Sequence, residues 1–297
     1  MKQSLSILIP VYCTDCHRLV TDLCLQAIHI NDLKYEIIVA DDGSPTPQTV
    51  NKSRVVADLP GVRYIERKKN VGRAAIRNFL AQEAQYEWLL FVDGDMSVTE
   101  DKFLSSYLHS DTQQVAYGGY VVGPGKEWCL RMKYERQCAP MHSATERRKR
   151  PYQHFHTSNF LIRRDLMLQH PFDERFRGYG YEDVFFGKQL RQAGITIDHP
   201  DNPLGFLDFE ENARFIDKTE ESLRTLYTFR DELRGYSQML TVIEGLHPRM
   251  LLPLVRLWHR LFGSLERRNL CGECPSLTIF KLYKLGYYLT LKNQSIK

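Results

Sequence analysis

The chain has 297 residues, of which 43% are hydrophobic and 26% charged, with a net charge of +4. This composition belongs to a globular protein with one large or two modest domains and excludes a disordered or fibrous chain. No apolar run reaches the length needed to cross a bilayer, and the opening MKQSLSILIPVY enters strand-like sequence without signal-peptide design, so the protein is expected in the cytoplasm.

Residues 4–11 are a β-rich apolar run, residues 17–29 carry helical spacing, and residues 35–40 read as a second strand ending in Asp41-Asp42-Gly43-Ser44. Residues 47–58 suit a helix, 62–66 a short strand and 71–84 an Ala-rich helix; residues 88–92 are a buried strand that stops at Asp93-Gly94-Asp95. This βαβαβ order predicts an α/β fold with a Rossmann-like, mostly parallel central sheet flanked by helices. Ligands bind such sheets at the carboxyl ends of the strands, where Pro10, Tyr12, Asp41, Asp42, Asp93 and Asp95 all fall.

Further along, residues 115–122 read as one strand and 157–162 as another. Between them, residues 123–153 include a basic cluster at 147–150 but no clear period, and part of the segment is expected to be a mobile loop. Residues 182–193 are helical and close on Gly194, while 218–244 read as a single long helix. After Pro253, Val255, Trp258, Phe262 and Leu265 recur at helical spacing, with Arg256, Arg260 and Arg267 opposite. Residues 279–291 add an aromatic, basic segment with Tyr283, Tyr287 and Tyr288.

Charge is unevenly placed. Residues 249–297 hold nine basic and two acidic side chains, a net +7, and the first 248 residues carry −3. The amphipathic stripe either packs on the core or lies on an anionic membrane surface; no nucleic-acid motif accompanies it, and no nucleic acid is expected as a partner. The seven cysteines, an odd number, include two Cys-X-X-Cys pairs, Cys13 with Cys16 and Cys271 with Cys274. A shared zinc site needs both pairs together; ordinary reduced thiols are the simpler expectation in a reducing compartment.

Two acidic clusters carry the chemistry. FVDGDM presents Asp93 and Asp95 just past a buried strand, and GYGYED places Glu182 and Asp183 at the start of a helix. Carboxylates at a strand end suit a hard divalent cation, and a second acidic pair supplies a base beside that charge. Together they point to group transfer from a metal-bound diphosphate.

The segments SILIPVY, EIIVADDGS, NVGRAAIRN, FVDGDM and GYGYEDVFFGKQLRQAG occur in the order found in inverting glycosyltransferases of family 2, which the chain resembles over about residues 4–195. The Gly-Tyr-Glu-Asp portion is similar to the acceptor-side motif of galactosyl- and N-acetylgalactosaminyl-transferring relatives. The resemblance implies a GT-A fold over residues 1–215, with a nucleotide-sugar half at 1–122, an acceptor half at 123–215 and a basic helical extension at 216–297. It implies a nucleotide-sugar donor, most often a UDP-sugar, and a glycan or lipid-linked acceptor such as those of surface-polysaccharide synthesis.

Under this resemblance the loop of Pro10 and Tyr12 passes over the nucleotide base, and Asp42 accepts from the uracil N–H; Asp41-Asp42-Gly43-Ser44 also reads simply as a turn and cap. Asn70, Gly72 and Arg73 precede or open a helix whose N-terminus favours a phosphate-bearing ligand, while Arg77 either joins that site or ties the helix to the acidic strand ends. Asp95 is expected to ligate Mn²⁺ or Mg²⁺ directly, with Asp93 on the ribose or the metal. Asp183 is the expected general base, with Glu182 as acceptor anchor. Gly178 and Gly180 permit approach of an acceptor sugar on which Tyr179 or Tyr181 stacks. Phe206 stands where many relatives have a histidine metal ligand; His199 and Asp208 lie nearby without matching, and His154 and His156 read as structural or acceptor-side.

Two other readings compete. A strand followed by Asp-X-Asp also fits a haloacid-type phosphatase, though that leaves DDGS and NVGRAAIRN unexplained. A nucleotide-sugar-binding module without catalysis draws its support from Phe206 alone.

Overall fold

The computed structural model describes residues 1–245 and 251–291. The first half of the chain folds as β1 (Ser4–Val11), α1 (His17–Ile28), β2 (Lys34–Asp41), α2 (Pro47–Arg54), β3 (Val62–Glu66), α3 (Arg73–Glu83), β4 (Trp88–Val92), α4 (Phe103–His109), β5 (Val115–Tyr117) and β6 (Tyr120–Val122). The second half adds α5 (Leu130–Cys138), α6 (Ala144–Lys149), β7 (Asn159–Arg163), α7 (Arg164–Gln169), α8 (Glu182–Gln192), β8 (Ile197–Asp198) and β9 (Leu204–Phe206). It ends in α9 (Asn212–Thr228), α10 (Gln238–Gly245), α11 (Leu251–Leu270) and α12 (Leu277–Thr290).

Seven strands form one sheet in the order β3-β2-β1-β4-β7-β5-β8, and β6 pairs with β9 in a small second sheet. β3, β2, β1 and β4 run parallel, and β7 runs antiparallel to both β4 and β5. Alternation along the strands sends side chains to two cores. Leu5, Ile7, Ile9 and Val11 of β1 pack with Leu19, Val20 and Leu23 of α1 and with Phe103 and Leu104 of α4. Leu8 joins Leu89 and Phe91 of β4 against Ala74, Ile76 and Leu80 of α3 and Phe186 and Leu190 of α8. A sheet covered on both faces explains why its strands read as nearly unbroken apolar runs. Each large aliphatic or aromatic side chain so buried contributes about 1.5–3 kcal/mol.

The strand order reverses between β1 and β4, and a crevice opens at their carboxyl ends. Gly94 permits it: a Cβ there would lie 2.7 Å from Val11 Cγ1 and 3.2 Å from the Pro10 carbonyl oxygen. The Asp93-Gly94-Asp95 turn thereby sits directly against the end of β1.

Three expectations from the sequence are corrected. The strand at 115–122 is broken at Gly118-Gly119, because Arg147 Nη2 donates to the Gly118 carbonyl (3.0 Å) and Asn159 Nδ2 to that of Gly119 (3.1 Å); β6 then leaves for the second sheet. The segment at 123–153, read as without clear period and in part a loop, carries α5 and α6, with irregular backbone at 123–129 and 150–153. Its order comes from long-range polar ties: Asn212 Oδ1 accepts from the Leu130 N–H at the start of α5 (2.7 Å), and buried Arg147 also donates to the Pro200 carbonyl (2.8 Å). The helix expected at 218–244 is two, α9 and α10, joined by a turn that brings Leu233 and Leu240 into one apolar cluster with Leu226. Apart from these, residue 215, where the sequence places a boundary, lies within α9.

Candidate active site

A cleft of ≈ 1840 Å³ opens beyond the β4 end, lined by Arg73, Asp93, Asp95, Arg131, His156, Tyr179, Gly180, Tyr181, Glu182, Asp183, Phe206 and Lys218 among others. It exceeds the usual few hundred to about 1,000 Å³ of a single-ligand pocket, so there is room for two substrates. The sheet register builds it. Val92 at the end of β4 lies opposite Asn159 at the start of antiparallel β7, and the Asp93 N–H donates to the Ser158 carbonyl at 3.1 Å. Residues just before β7, including His156, are therefore delivered to the same place as Asp93.

Two arginines of α3 organise the acids. Arg73 Nε donates to Glu182 Oε1 (2.6 Å) and its Nη2 to Asp93 Oδ2 (3.0 Å). Arg77, 1% exposed, donates to Asp93 Oδ1 and stands 3.8 Å from Glu182 Oε1. Burial opposes the Arg73 charge, but Asp93 and Glu182 outweigh it and hold its pKa well up. Glu182 is thus an ion-pair anchor of the site floor, with its Oε2 buried and unpartnered among the described residues.

Asp95 stands apart. It is exposed into the cleft and, among the described residues, has no hydrogen-bond or ion-pair partner. Its pKa is raised by the crowding of protein around it and by the neighbouring Asp93 charge. Asp183 is held differently: Oδ1 accepts from the Val184 N–H (2.8 Å) and Oδ2 from His156 Nδ1 (3.0 Å). Burial pushes its carboxyl up, but the His156 hydrogen bond and charge outweigh that and keep it below the usual range. The chain reaches α8 through Gly180 at φ +89° and Tyr181 at φ +67°. A left-handed tyrosine costs about 1–2 kcal/mol, and it buys the abrupt turn that aims Glu182 and Asp183 inward.

Not every expected residue meets the cleft. Arg73, Asp93, Asp95, Tyr179, Gly180, Tyr181, Glu182 and Asp183 line it; Pro10, Tyr12, Asp42, Asn70, Gly72 and Gly178 do not. Gly178 faces α9, where a Cβ would meet Thr225 Oγ1 at 2.9 Å. Asn70 and Gly72 line a smaller neighbouring hollow of ≈ 500 Å³ with Arg67 and Arg177. Asp42 is buried, and its carboxylate accepts from the backbone N–H groups of Val71 and Gly72 at 3.0–3.1 Å. Asp42 thereby fixes the loop just before α3, while the helix itself takes no side-chain cap. Tyr12, just past the end of β1, is 44% exposed.

Phe206 lines the cleft beneath the Arg131 guanidinium, 4.9 Å from its ring. His199 is buried, hydrogen-bonded to the Pro151 carbonyl (3.0 Å), and Asp208 is exposed elsewhere. Among the described residues no three His, Cys, Asp or Glu groups converge as a metal site. The donor set nevertheless fits a Mg²⁺-like mode, in which one or two carboxylates and the substrate phosphates share the ion; Asp95 is the free carboxylate. The cysteines form no disulfide, and burial raises Cys16 to about 11, which disfavours a thiolate ligand.

Sequence reasoning missed the His156–Asp183 contact. Its only signal was a histidine three residues before a strand whose antiparallel pairing is not written in the sequence.

This fold, with carboxylates on both walls of a cleft at the switch point, is the GT-A fold of glycosyltransferases. The chain matches the family model described as glycosyl transferase family 2 over residues 6–170, more than half its length, and belongs to that family. A mannosyltransferase from Pyrobaculum calidifontis, solved with GDP-Man and Mn²⁺, superposes with a TM-score of 0.53 at 14% identity over 97% of this chain and 85% of that one. TarS 1-349 of S. aureus, solved with UDP-GlcNAc, gives 0.52 at 14% over 98% and 90%. Glucosyl-3-phosphoglycerate synthase of Mycobacterium tuberculosis, with Mg²⁺ and UDP, gives 0.50 at 11% over 77% and 79%. No curated protein matches the chain significantly. Among the described residues no helix is long and apolar enough to cross a membrane.

Proposed function

We propose that this glycosyltransferase moves a hexose or N-acetylhexosamine from a UDP-sugar to a glycan or lipid-linked acceptor with inversion, using Asp183 as general base. The observation that carries the reading is the pair of walls of one cleft, free Asp95 on one and ionised, hydrogen-bonded Asp183 on the other. Tyr179, whose ring faces both Arg73 and Lys218 at 5.5 Å, and Tyr181 are the stacking surfaces for the acceptor.

The proton of the acceptor hydroxyl passes to Asp183 as its oxygen bonds the anomeric carbon. The bond from that carbon to the diphosphate breaks, and its electron pair leaves with the diphosphate. Arg73 places fixed positive charge beside the leaving group, and Asp93, locked by Arg73 and Arg77, keeps that guanidinium in place. A divalent cation, Mn²⁺ or Mg²⁺, held by Asp95 with Asp93 beside it, would neutralise the charge that develops on the diphosphate. Pro10, Tyr12, Asn70 and Gly72, which lie outside the cleft lining, are the residues proposed to contact the base and ribose, with Asp42 fixing the loop before α3. Its Oδ1 accepts one hydrogen bond and retains a lone pair for a base N–H.

The test is thermal stabilisation by a panel of UDP- and GDP-sugars, with and without Mn²⁺. UDP-sugars with Mn²⁺ should raise Tm, and Mn²⁺ alone should not, because a single free carboxylate needs the diphosphate to complete the site. Stabilisation by none of the panel would reject the reading.

A second element concerns location, proposed as cytoplasmic and peripheral on the inner membrane face. The apolar stripe of α11 is not absorbed by the core: Leu254, Trp258, Leu261 and Leu265 are 46–64% exposed. Arg256 and Arg260 flank it, the pattern of a helix lying on anionic lipid. Residues 249, 250 and 292–297 of the expected contact lie outside the described residues. Leu261→Asp should reduce cosedimentation with phosphatidylglycerol-containing vesicles severalfold; equal sedimentation would reject the contact.

A further inference from the structure

We infer that His156 is a positioning residue for Asp183; the inference rests on the transferase reading above. The two residues come from separate parts of the chain, yet the imidazole Nδ1 lies 3.0 Å from Asp183 Oδ2. With Oδ1 on the Val184 N–H, both oxygens of the carboxylate are fixed and its plane has one orientation in the cleft. A base held in one orientation loses no rotational freedom when the acceptor hydroxyl arrives.

The imidazole is itself held in place. Its ring packs at 5.9 Å from Tyr117, 6.3 Å from Tyr120 and 5.3 Å from His142, centroid to centroid. The groups that face it electrically are Asp183 from α8, Glu135 from α5, Arg147 from α6, His142 from the turn after α5, and His154 two residues earlier. Burial works against charge on His156, but Asp183 and Glu135 outweigh it and raise its pKa. His142 is driven the other way, down to about 3, by burial and by its histidine neighbours. Of these clustered imidazoles, His156 is the one whose pKa is raised, and it is the one hydrogen-bonded to the base.

The chemical consequence follows from the atoms. Asp183 takes the hydroxyl proton on a lone pair that His156 does not occupy. The electrons of the broken O–H bond form the glycosidic bond as the bond from the anomeric carbon to the diphosphate breaks and its electron pair leaves with the diphosphate; no further reactant is needed. Because the folded pKa of Asp183 is depressed, the base remains competent as the pH falls, until that lowered value is reached.

Two variants separate orientation from charge. His156→Asn keeps an N–H donor near the Nδ1 position, and His156→Ala removes both donor and charge. Two readouts are followed: the ¹³C NMR titration of the Asp183 carboxyl, which needs no substrate, and the pH profile of nucleoside diphosphate release from a panel of UDP- and GDP-sugars with Mn²⁺. His156→Ala should raise the Asp183 titration and move the acidic limb of kcat to higher pH. It should lower kcat about tenfold or more with the donor KM within about twofold. His156→Asn should recover most of kcat and show a smaller shift. An Asp183 titration unmoved in His156→Ala overturns the pairing whatever the turnover, and so does an equal loss of kcat in both variants. A moved titration in a protein that releases no nucleotide upholds the pairing and counts against the transferase reading instead.

Discussion

The two walls of the cleft solve the same electrostatic problem in the same way. On the β4 side, Asp93 is locked by Arg73 and Arg77 while Asp95 is left free; on the α8 side, Glu182 is locked by Arg73 while Asp183 faces the cleft with its own partner, His156. One guanidinium, Arg73, bridges the two locked acids. Two pairs of carboxylates in one cavity would repel one another, and pairing one member of each neutralises the floor while leaving one acid per wall for work. The walls differ in how the remaining acid is tuned: Asp95 is raised by crowding and by Asp93, which suits the cation ligand proposed for it, and Asp183 is lowered by His156, which suits the proposed base.

If this division is right, the free acids govern activity and the locked acids govern stability. Asp183→Asn tests it most severely. It keeps the side chain's shape but removes the base, and kcat should fall by about 10²–10⁴ with donor affinity retained; near-normal turnover removes Asp183 from the role. Asp95→Ala follows, with a loss of about 10²-fold or more, several kcal/mol of charge stabilisation at 1.36 kcal/mol per decade. Its mark is abolition of the Mn²⁺-dependent part of UDP binding in calorimetry. That part should also weaken on mild acidification in the unaltered protein, since a raised Asp95 pKa lets protons compete with the cation earlier.

Glu182→Gln should behave in the opposite sense. The side chain is 3% exposed, and its loss of charge takes from Arg73 one of its two carboxylate partners, while Arg77 keeps Asp93. Breaking a fully buried pair costs about 3–5 kcal/mol, and the half-open Arg73 arm, 39% exposed, reduces this to about 2 kcal/mol. Urea unfolding should show this loss of stability, with a smaller drop in kcat than Asp183→Asn. A variant with full stability and kcat reduced as far as in Asp183→Asn would break the division and return Glu182 to the chemistry.

What was legible in the sequence follows the range of the interactions that fix it. The elements through β4 are set by local periodicity and strand-end chemistry, and Asp93, Asp95, Glu182 and Asp183 were found because short motifs place them at element ends. The helices at 123–153 were hidden because Arg147, one of the basic cluster at 147–150, is buried beneath the Gly118 and Pro200 carbonyls, a tie across 53 residues that no local pattern shows. His156 was hidden because its position depends on β7 running antiparallel to β4. The α11 stripe was legible as amphipathic, but its exposure was not, since only the packing of α12 and α9 decides which face of α11 is covered.

A third acidic pair sharpens the comparison by contrast. Asp41 and Asp42 end β2 as Asp93 and Asp95 follow β4, yet here neither carboxylate lines the cleft. Asp41 accepts from the Ser44 N–H (2.7 Å) and the Tyr64 hydroxyl (3.1 Å), and Asp42 accepts from the loop N–H groups before α3. A pair committed to internal donors should act mainly on stability, and by the modest amount of a few hydrogen bonds. Asp42→Ala should therefore destabilise the fold by about 1–3 kcal/mol. Arg73 opens α3, so fraying of that end also loosens the guanidinium that joins the two walls. Donor affinity should fall severalfold while kcat at saturation changes little. Asp42→Asn discriminates the two contributions: its side-chain oxygen still accepts from the Gly72 N–H, so stability should be largely restored. Any remaining loss of UDP affinity in that variant measures the base contact alone, and if none remains, Asp42 serves the site solely by holding the loop before α3.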